Sequence, residues 1–441
     1  MDHVFYSFLR DKPSETIVDG QGMYLHASNG NKYLDFTSGS VQNSILGFNN
    51  SFVLEEISKQ LNKISTIDYK SWIDGNRTEL AALIAGQAPK GLNKVFFSGQ
   101  SGSEACEAAL QLSFQSHVER GFKDKIYFIS RKESYHGATI NSMACGDRQH
   151  LNYMEKLWPT NHIKVPAHDP IHGPEADESP DSYLERSLSE FQAVIDRLGA
   201  NKISAFIGEP IMGALQGDIP PHPDYWRRMS EICRKNDIHL ILDEIYAGTG
   251  ISGKYFCCDW DDGVTPDFIL MCKTLGAGYA PLSIVVTSDE IEESIMSGTG
   301  RVSYSSTHQG HTLCTAAALA VQTYILENDL VEHANSLGHY MRNVIKNELG
   351  ENDFFTSVHG RGLRFSFEYG STDNYNLGEE IRFRLKEDFQ LLIDSKWHRV
   401  GFRPAMICTQ ELADEALEKV IETFKKISSK YQPSFRAKLY V

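Results

Sequence analysis

The absences in this chain narrow its function first. No stretch approaches the ~18 consecutive apolar residues of a membrane-crossing helix. The opening residues Met1-Asp2-His3-Val4-Phe5 carry neither the basic region nor the apolar core of a secretory leader. There is no dense Lys/Arg run. The closest candidate, Phe424-Lys425-Lys426, falls on a C-terminal amphipathic stretch, and the formal net charge is -15. Phosphate backbones are held by basic patches, so neither nucleic acid nor a membrane is expected as a partner. The eight cysteines (Cys106, Cys145, Cys233, Cys257, Cys258, Cys272, Cys314 and Cys408) form no C-x-x-C pair. A reduced, cytoplasmic protein without a metal centre is the expectation. Internal repeats and low-complexity tracts are also missing.

The 441 residues suffice for a large core and two lobes, and 41% apolar with 23% charged residues is an ordinary globular balance. Turn signals at Asp19-Gly20-Gln21-Gly22 and Ser28-Asn29-Gly30-Asn31 flank Met23 to His26 and Lys32 to Phe36, which predicts a β-hairpin. The loop Thr37-Ser38-Gly39-Ser40-Val41-Gln42-Asn43 follows. Leu80, Leu83 and Ile84 lie at helical spacing. Lys94 to Phe97 reads as a strand, and Ser98-Gly99-Gln100-Ser101-Gly102-Ser103-Glu104 leads from it into a helix with Ala105, Ala108, Ala109 and Leu112 on one face. Small residues at a strand-to-helix turn let backbone N–H groups point at an anion. No G-K-[ST] follows, so this is not a Walker loop.

A strand over Ile126 to Ile129 runs into Ser134-Tyr135-His136-Gly137, and residues 166–185 read as a surface excursion. Strand-like Ile203 to Ile207 ends at Gly208-Glu209-Pro210. A helix is expected over about 224–235, burying Trp226, Met229, Ile232 and Cys233. Two short apolar runs then each end in a chemically loaded residue: Ile238 to Leu242 at Asp243, and Phe268 to Met271, one Cys later, at Lys273. Runs this short and apolar suit strands buried on both faces of a parallel sheet. Ligands of open α/β sheets sit beyond the carboxyl ends of the strands. An acid and an amine delivered there point to pyridoxal phosphate (PLP) chemistry, in which a lysine forms a Schiff base with the cofactor aldehyde and an aspartate partners the pyridinium nitrogen. Cys272 reads as a small apolar residue filling the strand end. Beyond Thr307 to His311, helices are expected from Leu313 to Glu327 and over 331–348, 377–394 and 411–430, with short strands at Gly362 to Phe367 and Arg399 to Ile407.

In order along the chain, Asp35-Phe36-Thr37-Ser38-Gly39, Ser101-Gly102-Ser103-Glu104-Ala105, Ser134-Tyr135-His136-Gly137, Gly208-Glu209-Pro210, Leu242-Asp243-Glu244-Ile245, Lys273-Thr274-Leu275-Gly276 with Pro281-Leu282-Ser283, and Thr307 before Gly310-His311 closely resemble the class III aminotransferases, PLP enzymes of the aspartate-aminotransferase fold (fold type I). The resemblance implies an α/β fold: a large PLP-binding domain with a mostly parallel sheet over 61–312, and a small α+β domain built from both termini, 1–60 and 313–441. It implies that Lys273 is the Schiff-base lysine and proton-transfer base, and that Asp243 holds the ring nitrogen protonated. At ~4 Å and an effective dielectric near 20, such a pair gains about 4 kcal/mol before desolvation. It further implies phosphate contacts from Gly102 and Ser103, ring stacking by Tyr135 beside His136, packing of Ile245 on the opposite ring face, and Glu209 as a carboxylate near Asp243. Thr307 would reach the phosphate of a neighbouring subunit, so a homodimer or a multiple of it is implied.

Three departures bear on substrate choice. Where many members have Asp-Glu-Val-Gln-Thr-Gly, the Gln near the cofactor's phenolic oxygen is here Tyr246. Members acting on ornithine or γ-aminobutyrate often read Glu-Pro-Ile-Gln-Gly-Glu, and the last position here is Ala214. Their carboxylate-binding arginine falls on Gly401. Arg399 and Arg403 are the nearby candidates, with solvated surface arginines as the competing reading. Gln42, Tyr69 and Trp72 are candidate pocket residues, with plain packing as the alternative. The expected activity is transfer of an amino group from a primary amine or amino acid, ω-amino included, to a 2-oxo acid such as pyruvate or 2-oxoglutarate. An epimerase, aminomutase or decarboxylase on the same scaffold is the alternative, and a non-catalytic nucleotide-binding or interaction protein leaves the ordered motifs unexplained.

Overall fold

The computed structural model describes residues 3–7, 13, 15–213, 215–370, 376–396 and 398–431. Strands β1 (Ile17–Gln21), β2 (Tyr24–Ala27) and β3 (Lys32–Asp35) form an antiparallel meander. The β2–β3 hairpin matches the sequence reading. Asp19 to Gln21, expected as a turn, is instead paired with Tyr24 to His26. The tight turn is confined to Gly22 and Met23, and the φ of 58° at Gly22 is readily adopted by glycine.

The central sheet contains β4 (Lys94–Gly99), β5 (Tyr127–Arg131), β6 (His162–Val165), β7 (Ile203–Gly208), β8 (His239–Asp243), β9 (Phe268–Met271) and β10 (Ser283–Thr287), in the order β4-β10-β9-β8-β7-β5-β6. Pairing is parallel from β9 through β8, β7 and β5 to β6; β10 runs antiparallel to both β9 and β4. Every residue of β7, β8, β9 and β10 is buried, as near-continuous apolar runs require when helices cover both faces.

Side chains alternate across the two faces. Leu240 and Leu242 pack with Phe206, Ile269, Trp226, Met229 and Phe191, under the helices Pro180–Leu198 and Tyr225–Lys235. Ile241 packs with Ala205, Ile207, Phe268 and Leu270 under the helix Gly102–Glu119, whose Ala105, Ala108, Ala109 and Leu112 are buried as expected. The period of two then places Asp243 and Glu209 on the same face as Ile241 and Ile207, toward the start of that helix. Each fully buried Leu, Ile or Phe is worth about 1.5–3 kcal/mol, so the sheet is a firm platform for whatever its rim carries.

The remaining strands are β11 (Phe355–Arg361), β12 (Arg364–Tyr369), β13 (Leu391–Leu392), β14 (Asp394–Lys396) and β15 (Arg399–Phe402). One sheet runs β11-β12-β15-β14, and β13 pairs in parallel with β3, so both ends of the chain share a sheet. Leu34, Phe36 and Ile45 pack in one core with Met341, Phe365, Phe402, Leu417 and Phe424. The helix expected over 377–394 stops at Phe389. Gln390 takes a left-handed φ of 50°, and Leu391 to Lys396 become strand because Leu391 and Leu392 are needed beside Leu34 and Asp35. Strand β11 went unread, and the strand expected over Arg399 to Ile407 ends at Phe402. No helix among the described residues is long and apolar enough to cross a membrane.

The excursion after β6 is tied to the C-terminal sheet by the imidazole of His172. His172 Nδ1 lies 2.8 Å from Asp169 Oδ2, and its Nε2 lies 2.8 Å from Glu368 Oε2 on β12. Both nitrogens donate only when the ring is cationic, and these bonds raise the His172 pKa to about 10. The folded value lies above the unfolded one, so the stabilisation is full below pH 6.5 and fades as pH rises through about 10. His172→Ala should therefore lower the melting temperature by about 2 °C at pH 6, and the difference from the parent protein should shrink toward pH 10 in thermal scans. A difference that stays constant with pH would refute the ion-pair account.

Candidate active site

The carboxyl ends of β7, β8 and β9 gather the chemistry. Asp243, the last residue of β8, is buried and fixed twice: His136 Nδ1 donates to its Oδ2 at 2.7 Å, and the Ile245 N–H donates to its Oδ1 at 3.1 Å. With the carboxylate as acceptor, Nδ1 carries the hydrogen. The imidazole is itself buried, and its Nε2 has no partner among the described residues.

The helix Gly102–Glu119 opens at the same place. Ser101 caps it, accepting from the Glu104 N–H while Glu104 Oε2 accepts from the Ser101 N–H, a reciprocal capping box. Gly102 is pressed against Ile245: a Cβ there would stand 2.8 Å from Ile245 Cδ1. Ser103 Oγ accepts from the Ala138 N–H at 2.9 Å, joining the helix start to the loop that bears Tyr135 and His136. Tyr135 is half-buried, with the Arg148 guanidinium 5.0 Å from its ring centre. Gly102, Ser103, Tyr135, His136, Asp243 and Ile245 are thus linked through direct contacts or neighbouring backbone.

Lys273 follows β9. No hydrogen-bond or ion-pair partner binds its amine among the described residues, and Nζ lies 4.4 Å from the centre of the Tyr246 ring. Burial pushes the amine below the usual lysine range, against the opposing pull of Asp243. Cys272 beside it is buried, and that burial raises its thiol to about 11, which makes it an inert filler as read from the sequence. Glu209 is buried after β7, and desolvation raises its pKa against the pull of His136 and Arg131. The Arg131 guanidinium lies over Trp226 and donates to the Glu209 carbonyl.

The remaining candidates divide. Gln42 is fully buried, with a left-handed φ of 57°, and neither amide atom has a partner among the described residues. Thr307 is exposed, and its neighbour Ser306 donates to Glu104 Oε1 at 2.8 Å. Trp72 is 69% exposed, and no hydrogen bond or ring contact among the described residues joins it to the Lys273 cluster. Tyr69 donates to Gln309. Ala214 lies outside the described residues.

The surface reading of Arg399 and Arg403 is corrected: both are buried. Arg403 binds Asp394 Oδ2 at 2.6 Å and Asp218 Oδ2 at 2.8 Å, and Arg399 donates to the Leu215 carbonyl. Two residues of this network escaped the sequence reading. Asp218 accepts from Arg364 Nε at 2.7 Å as well as from Arg403 and Ser366, and Arg364 lies 3.9 Å over the Tyr246 ring. Nothing in the sequence around either position signals a site.

The model of one protein family, aminotransferase class-III, matches residues 9–424. The chain belongs to the class III aminotransferases. An uncharacterized aminotransferase of Bacillus subtilis, YodT, is 31% identical to this aminotransferase over 354 residues, covering 79% of this chain and 78% of the relative. The putrescine–pyruvate aminotransferase of Pseudomonas aeruginosa is 31% identical over 328 residues, covering 74% and 71%. The solved omega transaminase of Pseudomonas jessenii in complex with PMP superposes with a TM-score of 0.89 at 26% identity, covering 95% and 93%. The aminotransferase depends on pyridoxal phosphate, and its residues fit that cofactor. Asp243 Oδ1 accepts one N–H and has capacity for a second, the start of the Gly102–Glu119 helix presents backbone N–H groups, and the Lys273 amine stands unpaired.

Asp218 holds two buried arginines, and they keep its pKa down at about 2 despite burial. A depressed folded value means stability is present above the unfolded 3.8 and lost as pH falls through about 2. Asp218→Ala should cost ~3–5 kcal/mol in urea denaturation at pH 7, because it leaves buried guanidinium unpaired. The gap should begin to narrow only below pH 3.8. A gap under about 1 kcal/mol at pH 7 would contradict the assigned role.

Proposed function

We propose that this aminotransferase moves an amino group from a primary amine or ω-amino acid to a 2-oxo acid such as pyruvate or 2-oxoglutarate, with Lys273 as the covalent and proton-moving residue. The observation that carries the assignment is an unpaired, pKa-lowered amine at the rim where Asp243 is fixed. The names of a putrescine–pyruvate aminotransferase and a tomato gamma aminobutyrate transaminase among the relatives support an ω-amino donor.

Pyridoxal phosphate, when bound, supplies an aldehyde for linkage to an amine and a ring that accepts electrons. The protein supplies everything else. Asp243 holds a proton on the ring nitrogen, and His136 and the Ile245 N–H keep the carboxylate aimed. The start of the Gly102–Glu119 helix, with Gly102 and Ser103, receives the phosphate. Tyr135 and Ile245 bound the ring, and Tyr246 takes the place of the usual glutamine at the phenolic oxygen. Glu209 adds a carboxyl beside His136. Lys273 Nζ would take the proton from the amine-bearing substrate carbon and return it to the cofactor's aldehyde carbon, two bonds away across the shared nitrogen. A lowered pKa leaves more of that amine unprotonated near neutrality.

Residues 61–312 serve as the cofactor-binding lobe, with 1–60 and 313–441 as the second. A homodimer in the cytoplasm completes the reading. Exposed Thr307 and the exposed apolar residues Val41, Trp72 and Ile73 are what a partner subunit would cover, and all eight cysteines are free and buried.

Lys273→Ala should lose the visible colour of the reconstituted enzyme and slow amine conversion by at least about 10²–10⁴-fold. Asp243→Asn should keep the colour and lose about 10²-fold or more in rate. Product formation by the parent enzyme should require the 2-oxo acid. Turnover without it would move the assignment to an epimerase, aminomutase or decarboxylase.

A further inference from the structure

Of the two buried arginines that meet Asp218, Arg364 is the one with a terminal nitrogen to spare. Its side chain is 1% exposed, Nε is held by Asp218, and Nη2 has no hydrogen-bond partner among the described residues. Arg403 differs, because both of its terminal nitrogens are bound, to Asp394 and Asp218. An unmade bond from a buried guanidinium is costly unless a ligand completes it.

The location of that nitrogen indicates the ligand. Arg364 Cζ lies 3.9 Å from the centre of the Tyr246 ring, and Lys273 Nζ lies 4.4 Å from the same point. The sum of those two distances bounds their separation, so the guanidinium and the reactive amine lie against the same ring and within the span of a small substrate. Gly213 packs close to that edge and to the Glu209 carboxylate: a Cβ there would stand 2.9 Å from Arg364 Nη2 and 2.5 Å from Glu209 Oε1, so any side chain at this position would crowd the free nitrogen. Asp218 orients the guanidinium through Nε, so the remaining edge is presented as a planar donor fork, the shape that matches a carboxylate.

We propose that Arg364 recognises the carboxylate of the 2-oxo acid acceptor, with Asp218 as the residue that positions it. This rests on the transaminase reading above and goes beyond it, since it names the group that selects acids. An amine donor without a carboxylate does not need this contact, so one pocket serves both halves of the reaction.

The test uses full-length enzyme converted to its pyridoxamine phosphate form. Return of the visible colour is followed in single turnovers with pyruvate and with propanal, an acceptor of the same length without the carboxylate. Arg364→Gln should raise half-saturation for pyruvate at least about tenfold and change that for propanal less than about twofold. Arg364→Lys keeps a cation for Asp218 and loses the fork; it should show the same split, and it serves if the glutamine variant does not fold. Calorimetry with propionate gives an independent readout: the parent enzyme should bind it, and the variants at least about tenfold more weakly. Equal effects on pyruvate and propanal, no effect on either, or a parent enzyme that does not bind propionate would overturn the proposal. Failure of the transaminase reading has a different signature, because no amine would then bleach the parent enzyme.

Discussion

The site depends on one buried carboxylate held in one orientation. Asp243 ends a strand that is covered on both faces, and its two oxygens are claimed by His136 and the Ile245 N–H. An isolated buried charge is expensive, and here the cost is offset by the bonds from His136 and the Ile245 N–H and, in the proposed reading, by a cationic cofactor ring. The parallel pairing of β7, β8 and β9 then decides what stands beside it. Glu209 follows one neighbouring strand and Lys273 the other, at the same edge of the sheet.

A second layer of charge surrounds this centre. Arg364 and Arg403 come from the C-terminal sheet, and Asp218 comes from the loop after β7. Their bonds join the two parts of the chain where Tyr246 meets Lys273. Such a network fixes the floor of the compartment electrostatically, and a core of the same volume made of leucines would leave no donor for a substrate acid. The acidic surface of the protein, with a net charge of -15, says nothing of this local cationic pair.

Much of the fold was legible because local signals agreed with the global one. Largely apolar runs at Ile203 to Ile207, Leu240 to Leu242 and Phe268 to Met271 demanded a covered sheet, and the small residues around Gly102 marked a helix start against which Ile245 packs. The sequence failed where long-range pairing overrides local pattern. Gln390 breaks a helix that Leu391 and Leu392 would continue, because β3 needs a partner. Arg399 and Arg403 were open between substrate candidates and surface residues, since the carboxylate that pairs with buried Arg403 lies 185 positions away, and Arg364 is 146 positions from the same Asp218. No spacing rule reaches so far.

The most direct test of the central claim is covalent trapping. Enzyme reconstituted with pyridoxal phosphate is reduced with borohydride, digested, and its peptides are weighed. The structure predicts one stoichiometric cofactor adduct, on the peptide carrying Lys273, and its loss when an amine donor is added before reduction. An adduct on another lysine, or none at all, would contradict the account.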